Sequence, residues 1–390
     1  MPTKGRRMQD SHEGAWIWEN CKNHIAGYPS LSITEFELFT DTWITNEMYL
    51  GPYEFINGVP RTRPGGEHDL KPSIVVRVAH HTDVTRLDLS RTNTHRYHGG
   101  WIYDEVAALT SLVLGARVIA GPVTRSFSGR DGPLGRPHTH AYGTLPSIPL
   151  RTSKPTIPWL FASKDLSELS ILSSLPKLNA RHSVALVKSA RLFQQALYVC
   201  DSSPEISWLL LVSAIETAAA TWSETFSPAI ESLRSPFPKL ADLLESLADE
   251  SLARNIATEL ARITGATGKF CRFCETFRPL PPAERPDIGR FNFEELYSKS
   301  LVIIYRYRSE ALHSGIPFPF PMCMPPEPTD GQPPMFAERP MGLGAGARGS
   351  TWEAKDTPMH LHLFASIVRG ILLNWWSSST GNEVANTLSM

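Results

Sequence analysis

The spacing of apolar residues changes about a third to halfway along this chain. Up to about residue 140 they fall in alternating or continuous runs, at Ser30 to Phe39, Ser73 to Ala79 and Ala116 to Val123, which predict strands. Among them Tyr103 to Leu114 has helical spacing and ends on Gly115. Trp16, Trp18, Trp43 and Trp101 read as core and rim packing, with a base-stacking platform as the alternative. Pro146, Pro149, Pro155 and Pro158 then punctuate a predicted linker over 151–175. From about residue 175 a three-and-four spacing takes over. It predicts helices at Ala180 to Val199, Pro204 to Trp222, Pro238 to Leu247, Ser251 to Ile263, Lys269 to Phe277 and Phe293 to His313.

This pattern predicts an α+β chain. A mixed N-terminal domain over 1–150 precedes an all-α bundle over 176–378, and 379–390 reads as a flexible tail. Residues 314 to 357 hold many prolines and the tract GLGAGARGS, which lacks the GK[ST] of a phosphate loop and follows no predicted strand. They read as a flexible insertion. Thr357-Pro358 opens a closing helix through Leu361, Phe364, Ile367, Val368, Ile371, Leu372 and Trp375.

Two helices carry candidate chemistry. Pro204 to Trp222 is apolar nearly all round, as a central bundle helix must be, yet Glu216 lies in it and needs a cationic partner because burying a lone carboxylate is costly. The helix from Phe293 starts on Asn292 with Glu295 three residues on, a capping-box arrangement. Leu296, Tyr297, Leu301, Ile304, Tyr307 and Ala311 form its stripe, and Ser314-Gly315 before Pro317 stops it. Arg308 and His313 stand on its last turn and a half, roughly 140° apart around the axis but within reach of one cleft. Imidazole titrates near neutrality and suits proton transfer.

Composition narrows the classes. The formal net charge is −1, so no global basic surface marks a nucleic-acid binder. Any such contact must be local, and the best basic loop is 121–141, with Arg125, Arg130 and Arg136 against Asp131. It either tracks a phosphate backbone or carries three ordinary surface arginines. Five scattered cysteines and an N-terminus without an apolar signal core predict a reducing, cytoplasmic setting. The apolar run Ile206 to Trp222 is too short and too marked by Glu216 to span a membrane. The pairs His80/His81, His138/His140, His360/His362 and Cys271/Cys274 lack the spacing of a zinc site, so no metal or cofactor is expected.

The segment YRYRSEALHSG, with Arg308-Ser309-Glu310-Ala311-Leu312-His313 inside it, resembles the R-x4-6-H motif of HEPN domains, in particular their Apea-like branch. Ser314 intervenes before Gly315, a small departure from the branch's histidine-glycine ending. GGWIYDEVAAL and DGPLGRP also resemble stretches of proteins that carry such a domain. The resemblance implies a HEPN-type helical bundle and a metal-independent endoribonuclease cutting RNA, such as tRNA, through a composite Arg/His site in a homodimer. It also implies toxin-type or antiviral defence, with another defence subunit as a further partner. Under it Arg308 stabilises phosphorane charge, His313 moves protons, Ser309 and Glu216 position them, and Arg306 joins Arg125, Arg130 and Arg136 as RNA contacts. The alternative is a non-catalytic interaction or nucleotide-binding module that assembles or senses within a complex, with Glu216 in a structural ion pair.

Overall fold

The computed structural model describes residues 13–58, 71–82, 90, 92–128, 134, 136–141, 143–144, 146–147, 149, 152–222, 238–246, 249–329 and 335–381. Within them the fold is mixed α and β. The N-terminal half runs α1 (Trp16–Ile25), β1 (Ser32–Thr40), β2 (Ile44–Thr45), β3 (Met48–Leu50), β4 (Tyr53–Asn57), β5 (Lys71–His80), α2 (Ile102–Leu114), β6 (Ile119–Ser128) and β7 (Thr139–His140). Six of the strands make one sheet in the order β3-β4-β5-β1-β6-β7, every neighbouring pair antiparallel.

Each strand sends alternate side chains to opposite faces. On one face Phe36, Leu38, Ile74, Val76 and Val78 are fully buried against Val106, Leu109 and Leu112 of α2. On the other, Glu54, Arg77, Glu35 and Arg125 stand beside one another across β4, β5, β1 and β6. Arg77 bonds both Glu54 and Glu35, and Arg125 pairs with Glu35. A slip of one residue would send these charges into the apolar core, so the ladder helps to set the register.

The helical half contains α3 (Ala180–Val199), α4 (Pro204–Thr221), α5 (Pro238–Glu245), α6 (Glu250–Thr276), α7 (Phe293–His313), a short α8 (Phe320–Cys323) and α9 (Leu361–Thr380). The expected stripe of α9 is buried throughout, with Trp375 and Trp376 among the largest fully enclosed side chains. The two helices expected over Ser251–Ile263 and Lys269–Phe277 are one, capped by Asp249 Oδ1, which accepts from Ser251 N and Leu252 N. Its two internal glycines weaken a helix by about 1 kcal/mol each without breaking it.

The structure differs from the sequence reading at the expected linker. Residues 152–178 are packed into the core. A 3-10 turn, Pro158–Phe161, is followed by β8 (Lys164–Asp165), which runs parallel to β2, and then by a 3-10 helix over Leu166–Lys177. Leu166, Leu169, Leu172 and Leu175 recur every three residues, the 3-10 period, and all are buried. A single apolar cluster therefore runs from Ala15 to Trp376 across both halves. The described residues of the expected flexible insertion also carry regular structure. Gly344–Ala347 and Ser350–Glu353 pair as a hairpin around Arg348 and Gly349, both at positive φ, the backbone of a tight two-residue turn. Of the expected tail, Ser379 and Thr380 belong to α9, Gly381 caps it, and 382–390 lie outside the described residues.

Two buried arginines tie the halves together. Arg117, between α2 and β6, donates from Nε to Leu197 O (2.8 Å) and from its other nitrogens to Asp41 (2.9 Å), Cys200 Sγ (3.1 Å) and Asp201. Arg369 of α9 donates to Leu112 O (3.0 Å) and Val113 O, two of the free carbonyls at the end of α2. Gly115, at φ +60, lets the chain turn away there, and a Cβ on it would lie 3.1 Å from Arg369 Nε. His360 N-caps α9, where burial and His362 pull its pKa down to about 3.

Replacing Arg117 by methionine leaves two enclosed carboxylates without their cation. We expect a loss of about 3–5 kcal/mol in urea-unfolding experiments. Burial and His81 likewise pull His80 down to about 4, so both imidazoles are neutral in the fold, while unfolded histidine titrates near 6.5. Their contribution is intact above about pH 6.5 and is lost as the pH falls from there toward 4, by up to about 1.4 kcal/mol per unit for each histidine. Thermal unfolding followed from pH 7 to 4.5 should show a falling Tm, less steeply in His360→Gln.

Candidate active site at the end of α7

Helix α7 forms where its pattern predicts. Asn292 Oδ1 accepts from Glu294 N (3.1 Å) and Glu295 N (3.2 Å), and Phe293, Tyr297, Leu301, Ile304 and Tyr307 are buried. Glu295 makes no return bond to Asn292 N, so only half of the expected capping box is present. At the other end Ser314 N and Ile316 N both donate to Glu310 O while Gly315 takes φ +66, which closes the helix as read. The buried stripe packs on α4 and α6.

That packing brings Glu216 of α4 opposite the last turns of α7. Arg308 Nη2 donates to Glu216 Oε2 at 2.7 Å, and the Tyr305 hydroxyl donates to Glu216 Oε1 at 2.8 Å. Both carboxylate oxygens are engaged by groups one turn apart on the same helix, the i, i+3 relation that puts two side chains on one face. The Arg308 guanidinium also lies 5.6 Å from the centre of the Tyr305 ring, which packs against Phe270 of α6. Burial, and then the bond to Glu216, push the Tyr305 phenol up to about 12, so it stays a donor at neutral pH. Arg308 and Glu216 are about one-fifth and one-quarter exposed, which leaves the pair open to solvent on one side. Arg308 Nε is enclosed and has no hydrogen-bond partner among the described residues.

The remaining expected residues sit differently. His313 is exposed at the helix end, where its side chain makes no hydrogen bond among the described residues. No bond joins it to Arg308, whose stem turns back toward α4. Ser309 is half-buried and does not bond the Arg308–Glu216 pair. Arg306 is exposed, 3.7 Å from Glu310 and 4.0 Å from Asp356. Val302, Leu312 and Ile316 leave apolar side chains exposed along the same helix and its turn.

Of the basic loop, Arg130 lies outside the described residues. Arg125 is not in a loop: it is in β6, with its guanidinium on the enclosed carboxylate of Glu35, so much of its charge is already compensated. Arg136 is exposed beyond β6. Strand β6 packs on α2 and α7 on α4 and α6, so the structure does not gather Arg125 and Arg136 around Arg308.

Three of the paired histidines have partners within the fold. His362 bonds Ala337 O (2.8 Å), His80 bonds Thr34 Oγ1 (2.8 Å), and His81 meets His24 at 3.2 Å. All five thiols are free and buried, and burial pushes Cys271 up to about 12. Among the described residues no group of three or more metal-binding side chains is assembled, and no helix is long and apolar enough to cross a membrane. Sequence reasoning missed Tyr305, although its Y-x-x-R spacing to Arg308 was there to be read. Comparison with protein-family models, curated proteins and solved structures returns no match.

The Glu216–Arg308 interaction is measurable by itself. In a double-mutant cycle of Glu216→Ala and Arg308→Ala, urea unfolding is expected to show a coupling of about 1–2 kcal/mol, as for a partly enclosed charge-assisted bond.

Proposed function

We propose that this chain is a metal-independent endoribonuclease whose cleft is completed by a second copy of itself. One observation carries the reading: Arg308 is held by Glu216 and Tyr305 with its Nε still unused, on the turn before an exposed histidine. A guanidinium fixed from behind is prepared for the charge that gathers on a phosphorane, and an exposed imidazole is accessible for proton transfer. The resemblance to Apea-like HEPN proteins supports the same assignment and adds toxin-type or antiviral defence as its setting.

In this mechanism the 2′-oxygen of a ribose bonds to the adjacent phosphorus as its proton passes to one imidazole. Negative charge on the pentacoordinate phosphorus is stabilised by Arg308, and Glu216 and Tyr305 act as positioning residues. The bond from phosphorus to the 5′-oxygen then breaks, and that oxygen takes a proton from a second imidazole. The products are a 2′,3′-cyclic phosphate and a 5′-hydroxyl. One chain supplies one His313 and one Arg308, whereas the reaction uses an acid and a base together, so two copies are required. Val302, Leu312 and Ile316 offer apolar surface for that contact.

The second reading is a non-catalytic interaction module. It is favoured by the fact that Arg308 already has a carboxylate partner. The two readings part in one assay: total RNA and a tRNA pool incubated with EDTA and with wild type or His313→Ala of matched oligomeric state. We expect cleavage by wild type and a loss of about 10²-fold or more in the variant. Cutting that needs a metal, or that survives in His313→Ala, would exclude the mechanism.

A further inference from the structure

The N-terminal half holds a cavity that the proposed ribonuclease site does not use. Its volume is about 410 Å³, within the range of small-molecule sites. It lies where α1, the start of α2 and the ends of β1 and β5 meet, with Trp16, Trp101 and Tyr103 on its aromatic side and Ser32, Thr34 and His80 on its polar side.

The sheet explains this division. Along β1 the inward face reads Leu38, Phe36, Thr34, Ser32, and along β5 it reads Ile74, Val76, Val78, His80, with Ser32 directly opposite His80 in the register. Both strands change from aliphatic to hydrogen-bonding side chains at the same end, where α1 and α2 contribute indole and phenol rings. Trp16 and Trp101 pack with ring centres 4.7 Å apart, and Tyr103 meets the His80 imidazole edge to face at 6.1 Å. His80 Nε2 is held by Thr34 Oγ1, and among the described residues Nδ1 makes no second bond. Among the described residues that line the cavity none is an Asp, Glu, Lys or Arg, and burial keeps His80 neutral at pH 7.

We propose that this cavity binds a nucleobase, as a nucleoside or as one base of a single strand, stacked on the Trp101 and Tyr103 side with its polar edge on Thr34 and His80. A flat heterocycle matches the rings, since every base offers a π-face to an aromatic side chain. A neutral imidazole and hydroxyls supply both donors and acceptors, as a base edge requires. The lack of formal charge among the described lining residues disfavours a phosphate group beside them. The inference stands independently of the ribonuclease reading, because it uses none of the residues around Arg308.

The test is calorimetric titration of the full chain with adenosine, guanosine, cytidine and uridine, with indole, and with a short single-stranded oligoribonucleotide. We expect a Kd below 1 mM, roughly, for at least one nucleoside or for the oligonucleotide, and weakening of about tenfold or more in Thr34→Val and in Trp101→Leu with Tm and circular dichroism unchanged. Binding of nucleosides alone would identify a free small molecule as the occupant, and tighter binding of the oligonucleotide would identify a base within a strand. Thr34→Val is nearly isosteric and decides the matter alone if Trp101→Leu does not fold. No binding by any nucleoside or by the oligonucleotide overturns the inference, as does indole binding equally well or binding that both variants retain.

Discussion

A buried guanidinium is the constraint on which the two halves of this molecule most depend. Arg117 sits where sheet, helices and connecting segment converge: it bonds groups after β1 and at the end of α3 directly, and it reaches the connecting segment through Asp201 and the Phe161 ring. Asp41 follows β1, Leu197 and Asp201 end α3, and Thr156 of the connecting segment donates to the same Asp201 from both N and Oγ1. An enclosed charge is tolerated only when its hydrogen-bonding positions are filled, so the cluster holds as a unit or not at all. Arg369 repeats the device from the far end of the chain by capping α2. These contacts explain why the connecting segment is core rather than tether, and why the main apolar cluster spans both halves.

The candidate site follows from that framework. α4 is enclosed on nearly every side, and this fixes the direction of Glu216. α7 lies against it, so that one face presents Tyr305 and Arg308 to the two carboxylate oxygens. Arg308 is therefore oriented by the bundle and not by its own helix. His313, in the last turn of α7, has no side-chain hydrogen bond among the described residues to orient it. In the proposed dimer a composite cleft would resolve that asymmetry, and Val302, which lies close to His313 around the helix, is exposed apolar surface for a second copy.

The cavity beside Trp101 belongs to a different part of the same framework. Where the sheet packs on α2 its inward face is aliphatic, and where the strands run out beyond that helix it becomes polar. Among the described residues, an arginine with an unbonded Nε on the bundle and an imidazole with an unbonded Nδ1 at the sheet edge are two of the groups that keep unspent hydrogen-bonding capacity.

Much of this was legible in the residues alone, and the reason is local physics. Asn292, Ser314-Gly315 and the stripe through Leu301 and Ile304 determine α7 without help from the rest of the chain. Alternation determines β1 and β5, and Glu216 in an apolar helix announces that it needs a cation. Other features arise only from tertiary contact. The leucines of 166–175 have the 3-10 period, but they become core only because α1, α2, β3 and α9 surround them. Arg125 looked like part of a basic loop until the sheet placed it opposite Glu35. Arg117 and Arg369 carry no motif, because their partners lie 76 to 257 residues away in sequence and no local pattern encodes them. Sequence by itself determined where the elements are and which residues could do chemistry. Only the folded chain decided which of those residues meet, since hydrogen-bond partners and enclosure are properties of packing and not of spacing.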